Sequence, residues 1–245
     1  MALTSNSSAP RTLLLHGFTG CAADWAACLP EDASRVAIDL PGHRHEPAPI
    51  GTFSEEVAML LARLPASIDS LIGYSMGGRV ALGLLQAAPE RFRAATIISA
   101  DPGLTDRELR HQRRATDLGW IQLLHTQGIE AFVRAWERQP LFATQQTLPP
   151  TTLERQRRIR LSHRPGGLAR CLASLGLAEM PSTWDDLDRY PGDLTWIVGG
   201  EDRKFIQIAR QVAERRPATQ VHLIEGVGHN PLLEAPNALA QLLSD

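Results

Sequence analysis

The sequence is poor in cysteine and lysine, and both shortages limit its possible chemistry. Among its 245 residues it has three cysteines, Cys21, Cys28 and Cys171, and no C-x-x-C pair. An odd, scattered set of this kind argues against a disulfide framework or a zinc site and favours reduced thiols. Lys204 is the single lysine, so the other basic residues are arginines and a cluster of arginines is less unusual than elsewhere. The formal net charge of −2 gives no reason to expect a nucleic-acid partner.

Long hydrophobic runs are also missing. The apolar run at 13–15 is too short for the core of a signal peptide or for a membrane span. Residues 1–10 are small and polar with no basic start, which predicts a frayed leader. We therefore expect a cytoplasmic protein without membrane insertion, metal or other cofactor. The sequence leaves its oligomeric state open.

Short apolar segments that alternate with helical runs occupy most of the chain. They predict strands at 12–15, 35–39, 68–73, 94–100, 194–198 and 220–224. Six short strands with helices between them favour a mostly parallel, doubly wound sheet of the α/β class. From 103 to 190 the pattern changes to arginine-rich helical runs broken by prolines and glycines. We therefore predict a core formed by 1–102 and 191–245, with an inserted helical cap over 103–190.

The segment Gly73-Tyr74-Ser75-Met76-Gly77 has the G-x-S-x-G pattern of a nucleophile elbow. It follows the predicted strand at 68–73 and precedes an apolar helical run at 79–85. A sharp turn between strand and helix needs glycines, because a Cβ would crowd the neighbouring elements. Such a turn would expose the Ser75 hydroxyl above the sheet edge. The pentapeptide alone also occurs in ordinary Gly/Ser loops, so the flanking strand and helix are what support this interpretation.

An acid and a histidine follow Ser75 in the order that a hydrolase-type triad requires. Asp202 and His229 each come just after a predicted strand, so their loops and the Ser75 turn should meet at one sheet edge. His229 would take the proton of the Ser75 hydroxyl, and Asp202 would hold the imidazole in the right tautomer. The backbone N–H groups of Met76 and Phe18 would form an oxyanion hole.

Each of these residues has a simpler explanation when taken alone. A serine in a Gly-rich turn can be structural, Asp202 could cap the following helix, and a histidine near the C-terminus usually lies at the surface. Their occurrence together, in order and each after a strand, favours the triad. His16 and His43 are competing histidines. We expect His16 to brace the oxyanion loop and His43 to make local hydrogen bonds within its Pro/Gly turn.

Four motifs spread over the chain resemble the α/β-hydrolase superfamily. They are His16-Gly17-Phe18, Asp39-Leu40-Pro41-Gly42-His43, Gly73-Tyr74-Ser75-Met76-Gly77-Gly78 and Gly228-His229-Asn230. A narrower resemblance is to the 2-succinyl-6-hydroxy-2,4-cyclohexadiene-1-carboxylate (SHCHC) synthase family of menaquinone biosynthesis. It is carried by the elbow extended to Arg79, by 102–104, 110–120, 136–142 and 160–172, and by Gly200-Glu201-Asp202-Arg203-Lys204-Phe205.

The narrower resemblance implies a lyase. Members of that family eliminate pyruvate from a succinylated hydroxycyclohexene carboxylate, converting SEPHCHC to SHCHC. The implied role of Ser75, made basic by His229, is to abstract a proton from carbon, and no acyl-enzyme is required. The oxyanion hole would stabilise the charge that develops on a carbonyl oxygen.

The substrate implied by the resemblance is a polycarboxylate, which gives arginines a physical role. A guanidinium fork binds a carboxylate through two parallel hydrogen bonds. By resemblance, the substrate-binding residues are Tyr74, Arg79, Arg113, Trp136 and Arg160. Any single cap arginine could equally lie on a solvated helix face. Two other functions stay open: an ester or thioester hydrolase that acts through an acyl-enzyme, and a non-catalytic receptor for a small molecule.

Overall fold

The computed structural model of the protein describes residues 11–30 and 32–244, and its strands form one sheet. The strands are Arg11–Leu15 (β1), Arg35–Ile38 (β2), Ile68–Tyr74 (β3), Ala94–Ile98 (β4), Asp193–Gly199 (β5) and Gln220–Ile224 (β6). Their order is β2-β1-β3-β4-β5-β6, and every neighbouring pair is parallel. The predicted α/β class and doubly wound parallel sheet are confirmed. The predicted frayed leader, 1–10, lies outside the described residues.

Helices fill the connections between the strands. The α-helices are Phe53–Arg63 (α1), Met76–Ala87 (α2), Arg107–Trp136 (α3), Pro150–Leu161 (α4), Pro165–Leu175 (α5), Trp184–Leu187 (α6), Arg203–Arg215 (α7), Pro231–Glu234 (α8) and Pro236–Leu242 (α9). Helix α3 is kinked at Gly128, which has a φ of 75°. Segments of 3-10 helix occupy Ala22–Ala27, Pro89–Arg91 and Pro140–Thr147.

The sheet is buried on both faces, which explains why its strands are apolar runs in the sequence. Leu13 and Leu15 of β1 belong to one hydrophobic layer, together with side chains of α1, α2 and α7. Leu14, between them, belongs to the opposite layer with Trp25 and Leu239. Successive side chains of a strand point to opposite faces, so one short strand contributes to both cores.

The turn between β3 and α2 is as tight as the glycine pattern predicts. Ser75 itself has φ 52° and ψ −109°, a strained conformation for a residue with a side chain. A Cβ on Gly73 would lie 2.5 Å from the carbonyl oxygen of Gly77. A Cβ on Gly77 would lie 2.1 Å from the carbonyl oxygen of Leu15, so α2 can start close against β1 only without that side chain.

The connection between β4 and β5, residues 99–192, consists of helices joined by turns and irregular segments, and it contains no strand. Helices α3 and α5 pack on each other around a cluster that includes Leu124, Phe132 and Leu168. The division into a core and a cap over 103–190 stays a prediction. Strand β4 ends at Ile98, two residues earlier than predicted, because Ser99 has a φ of 47° that an extended strand cannot continue. No helix in the described ranges is both long enough and apolar enough to span a bilayer.

Candidate active site

Ser75, His229 and Asp202 form a continuous hydrogen-bonded chain. Ser75 Oγ lies 3.0 Å from His229 Nε2, and His229 Nδ1 lies 2.7 Å from Asp202 Oδ2. A carboxylate only accepts, so Nδ1 carries a proton toward Asp202 and Nε2 is left to accept from the serine hydroxyl. His229 and Asp202 are both buried. This tautomer is the one in which Nε2 can take the serine proton.

The three side chains come from three loops at the carboxyl edge of the sheet. Ser75 follows β3, Asp202 follows β5 and His229 follows β6. The last two loops touch, since a Cβ on Gly199 would lie 2.0 Å from the carbonyl oxygen of Gly228. Asp202 occupies the residue before α7 but makes no capping hydrogen bond there. Its carboxylate is directed to His229 instead, which rules out helix capping as the use of that side chain.

The backbone N–H groups of Phe18 and Met76 are available as donors beside Ser75. Both residues line the cavity above the serine. Within 11–30 and 32–244, no backbone or side-chain group accepts a hydrogen bond from either N–H. Two free amide donors at the edge of a cavity are what an oxyanion hole requires.

Every predicted site residue except Asp202 lines the cavity above Ser75. Asp202 lies behind His229. The cavity wall combines the loop after β1, the 3-10 helix Ala22–Ala27, the end of β3, the start of α2, the connection 99–192, the start of α7 and the loop after β6. The lining residues are Gly17, Phe18, Thr19, Gly20, Asp24, Tyr74, Ser75, Met76, Arg79, Ser99, Ala100, Asp101, Arg113, Trp136, Leu141, Phe142, Gln156, Ile159, Arg160, Leu172, Leu177, Lys204, Phe205, His229 and Asn230.

Arg79 presents a buried cation to this cavity. Its Nη1 donates to the carbonyl oxygen of Leu175 at 2.9 Å, and the residue is 7% exposed. Burial, assisted by the neighbouring Arg113 guanidinium, lowers the pKa of Arg79 to about 10. The side chain is therefore still charged at neutral pH. No carboxylate of residues 11–30 and 32–244 lies at hydrogen-bonding distance from Arg79. A buried cation in this state favours an anion from outside the protein.

Arg113 and Arg160 also reach the cavity, and each is held by an acidic residue of the helical connection. Arg113 Nε donates to both carboxylate oxygens of Asp117, at 3.0 and 3.1 Å. Arg160 Nη1 donates to Glu137 Oε1 at 3.2 Å. Burial is the main cause that lowers the pKa of Arg160, and Glu137 opposes it. The two pairs fix the direction of each guanidinium while leaving it on the cavity wall.

Tyr74 and Trp136 contribute the aromatic part of the wall. The Tyr74 ring lies 5.7 Å from the His229 ring, and burial raises the pKa of Tyr74 well above its ordinary value. Trp136 packs against Phe18 at 5.2 Å between ring centroids. Its Nε1 is buried and has no hydrogen-bond partner among the described residues.

Sequence reasoning missed several polar residues of the wall. Ser99 is buried at the end of β4, and its Oγ lacks a partner within the described ranges. The rule that found Ser75, namely a polar residue at the carboxyl end of a strand, could also have found it. Lys204 lies 3.6 Å from Asp101. Asp24 and Gln156 enter from a 3-10 helix and from α4, and no local signal marked them.

Across 11–30 and 32–244, no group of three or more His, Cys, Asp or Glu side chains is arranged to hold a metal ion.

Sheet order, elbow and the Ser-His-Asp geometry together define a class of protein. The chain belongs to the alpha/beta hydrolase family, whose model matches residues 12–242. The superfamily resemblance stated from the motifs is thereby confirmed.

Particular relatives narrow the comparison. The SHCHC synthase of Salmonella agona (strain SL483) is 31% identical over 248 residues, which cover 96% of this chain and 94% of the relative. A Bacillus subtilis (strain 168) protein whose name assigns it provisionally to the same synthase is 32% identical over 241 residues, 94% of this chain and 88% of its own. The solved structure of MenH from S. aureus has a TM-score of 0.90 at 29% identity, covering 98% of this chain and 94% of that one. The narrower resemblance is confirmed by these similarities.

Proposed function

We propose that this protein is an SHCHC synthase, a carbon–oxygen lyase that eliminates pyruvate from SEPHCHC in menaquinone biosynthesis. The observation that carries the proposal is the convergence of Arg79, Arg113 and Arg160 on the cavity that holds the Ser75 hydroxyl. They come from α2, α3 and α4, three separate helices. A neutral ester needs no such set of cations, whereas a polycarboxylate does. The full-length similarity to proteins named SHCHC synthase supports the same conclusion.

In the proposed reaction Ser75 acts as a base on carbon. His229 Nε2 takes the hydroxyl proton, and Asp202 stabilises the imidazolium that results. The serine oxygen removes a proton from a carbon that is activated by the succinyl carbonyl group. The electron pair of that C–H bond enters the conjugated system, and the C–O bond to the enolpyruvyl group breaks. The departing enolpyruvate takes up a proton and becomes pyruvate, so no bond to Ser75 forms.

The N–H groups of Phe18 and Met76 stabilise the negative charge on the carbonyl oxygen during this step. They are the proposed oxyanion hole, and their lack of intramolecular acceptors among the described residues supports that role. Removing one such donor costs an enzyme about 10²–10³ in kcat.

The proposed ligand is a small polycarboxylate bound by Arg79, Arg113 and Arg160, with Tyr74 and Trp136 along the ring. Arg79 supplies the fixed buried cation, and the two others are aimed by Asp117 and Glu137.

We also propose a cytoplasmic location, which the three free, buried cysteines support because reduced thiols are typical of that compartment. Cell fractionation followed by immunodetection tests it.

One pair of assays tests the proposed function. The protein is supplied with SEPHCHC, and pyruvate release is followed with lactate dehydrogenase; p-nitrophenyl acetate hydrolysis is measured in parallel. We expect the wild-type protein to release pyruvate and the Ser75→Ala variant to lose this activity. Ester cleavage without pyruvate would overturn the lyase in favour of an acyl-enzyme hydrolase. Inactivity in both assays would favour a receptor that retains the pocket.

A further inference from the structure

The loop that carries the Phe18 N–H is held by three imidazoles, one directly before the loop and two from distant parts of the chain. His16 precedes the loop, His43 lies after β2, and His163 lies between α4 and α5. All three are buried, with exposures of 0%, 0% and 3%. The His43 ring centroid lies 4.8 Å from that of His16 and 5.2 Å from that of His163. The proposed reaction uses none of them.

Each imidazole binds a different peptide group of the loop. His16 Nδ1 donates to the carbonyl oxygen of Gly17 at 2.8 Å. The Thr19 N–H donates to His43 Nε2 at 3.2 Å. His163 Nε2 donates to the carbonyl oxygen of Thr19 at 3.0 Å. Three successive peptide groups, 17–18, 18–19 and 19–20, are thereby fixed.

A short path of hydrogen bonds links His163 to the Phe18 N–H. The peptide group whose carbonyl accepts from His163 has the Gly20 N–H at its other end. That N–H donates to the carbonyl oxygen of Gly17 at 3.0 Å. The peptide group of that carbonyl ends in the Phe18 N–H, the free donor. Planar peptide groups joined in this way transmit orientation, and each bond polarises the next.

The loop needs this support because Thr19 is strained. Its φ is 67°, a left-handed value that is unusual for a β-branched residue. Such a conformation is unfavourable and persists only where the surroundings hold it. Both peptide groups of Thr19 are bound to histidines, as described above, so His43 and His163 are what hold it.

We propose that His163 is a positioning residue for the oxyanion hole: it holds the Thr19 carbonyl and thereby orients the Phe18 N–H toward the cavity. The inference rests on the proposed function only in requiring that negative charge develops on an oxygen at Phe18. His163 Nδ1 also accepts from the Arg44 N–H at 3.0 Å, so both nitrogens are used and the neutral tautomer with hydrogen on Nε2 is required. Burial lowers the pKa of His163, in keeping with that form.

Three substitutions separate positioning from packing. In His163→Gln the amide nitrogen can take the place of Nε2 and donate to the Thr19 carbonyl. In His163→Asn the shorter side chain reaches only the place of Nδ1, and His163→Phe keeps a ring without hydrogen bonds. His125→Phe, at an exposed position of α3, is the matched control.

We expect kcat for pyruvate release to fall about tenfold to a hundredfold in His163→Phe and His163→Asn, with KM nearly unchanged. His163→Gln and His125→Phe should stay near wild type. Circular dichroism melting identifies folded variants, and the Gln and Asn variants alone decide the question if the Phe variant does not fold. Equal kcat for Gln and Asn, at either the wild-type or the impaired level, would overturn the proposal.

Inactivation by diethyl p-nitrophenyl phosphate separates this inference from the proposed function. Ser75 Oγ bonds to phosphorus, p-nitrophenolate leaves, the serine proton passes to His229, and the phosphoryl oxygen occupies the oxyanion hole. The inactivation rate constants of wild type and His163→Gln should be similar. Both should be at least about tenfold higher than that of His163→Asn. If the wild-type protein releases no pyruvate, the proposed lyase function is wrong. The order of the inactivation rates then still tests the positioning role of His163. Equal inactivation rates for all variants would remove the positioning role.

Discussion

The Arg79 N–H donates to the Ser75 carbonyl oxygen at 3.1 Å, one helical turn along α2. The backbones of the proposed base and of the buried cation are therefore fixed by the same turn of helix. The Arg79 guanidinium is held separately, by the carbonyl oxygen of Leu175 in α5.

Arg79→Ala should reduce kcat/KM for SEPHCHC by about a hundredfold or more, because a buried carboxylate contact is lost. Arg79→Lys should recover only part of it, since an ammonium lacks the planar fork. Steady-state pyruvate release measures both, and Arg107→Ala at an exposed position of α3 is the control. An unchanged rate in Arg79→Ala would remove this residue from the site.

Arg160 and Arg158 lie on the same helix, but the first is buried at the cavity and the second is exposed. Arg160→Ala should raise KM for SEPHCHC about tenfold or more, because a buried charge contact contributes over 1.4 kcal/mol. Arg158→Ala should leave KM unchanged. Equal KM values for the two variants would show that Arg160 only pairs with Glu137 and does not bind the substrate.

Asp202→Asn should lower pyruvate release by about 10³–10⁴, because an amide favours the wrong imidazole tautomer while keeping the shape of the side chain. The melting temperature should change little. Asp193→Asn, at the exposed start of the same strand β5, is the control and should have wild-type activity. A mild loss in Asp202→Asn would mean that His229 is oriented by another group.

Gly77→Ala should strongly destabilise the protein, by several kcal/mol, since its Cβ would lie 2.1 Å from the Leu15 carbonyl oxygen. Gly119→Ala is the opposite case. This exposed position of α3 has nothing within 4 Å of the added Cβ, and alanine is favoured in a helix by about 1 kcal/mol. Urea unfolding should show the two shifts in opposite directions; a tolerated Gly77→Ala would contradict the close packing of α2 on β1.

The free energy of unfolding should fall as the pH decreases from 6.5 to about 4. Burial lowers the pKa of His16 from 6.5 to about 4, so in this interval the unfolded chain binds protons that the folded chain excludes. At 1.36 kcal/mol per pKa unit, His16 alone contributes about 3 kcal/mol, fully present above pH 6.5.

The pKa values of His43 and His163 are lowered as well, mainly by burial. Urea titrations at several pH values measure how steeply the free energy of unfolding changes with pH. The free energy of unfolding should depend less steeply on pH in His163→Gln than in wild type. The same slope in both proteins would show that His163 does not titrate with folding.

Much of the fold was predictable because its signals are local. The apolar strands, the glycines of the elbow and the change of pattern at 103 each depend on neighbouring residues. Small errors came from backbone angles that no pattern shows, such as the φ of 47° that ends β4 before Ser99. The proximity of Ser75, Asp202 and His229 was also predictable, because the loops that follow parallel strands lie at one edge of the sheet.

The partners of the charged and imidazole side chains were not predictable. His43 was expected to make local hydrogen bonds, and it does contact the Pro41 carbonyl, but its Nε2 accepts from Thr19 across 24 residues. Nothing marked His163 at all, although it binds the Thr19 carbonyl across 144 residues.

The sequence by itself determined the order of strands and loops, and with it which loops meet at the carboxyl edge of the sheet. Only the tertiary structure decided that Arg79 is buried, that Glu137 aims Arg160, and that His163 reaches the oxyanion loop. The physical reason is the range of the interactions. Strand and turn preferences act over a few residues, whereas these contacts depend on how α3, α4 and α5 pack above the sheet, and that packing is set by all their side chains together.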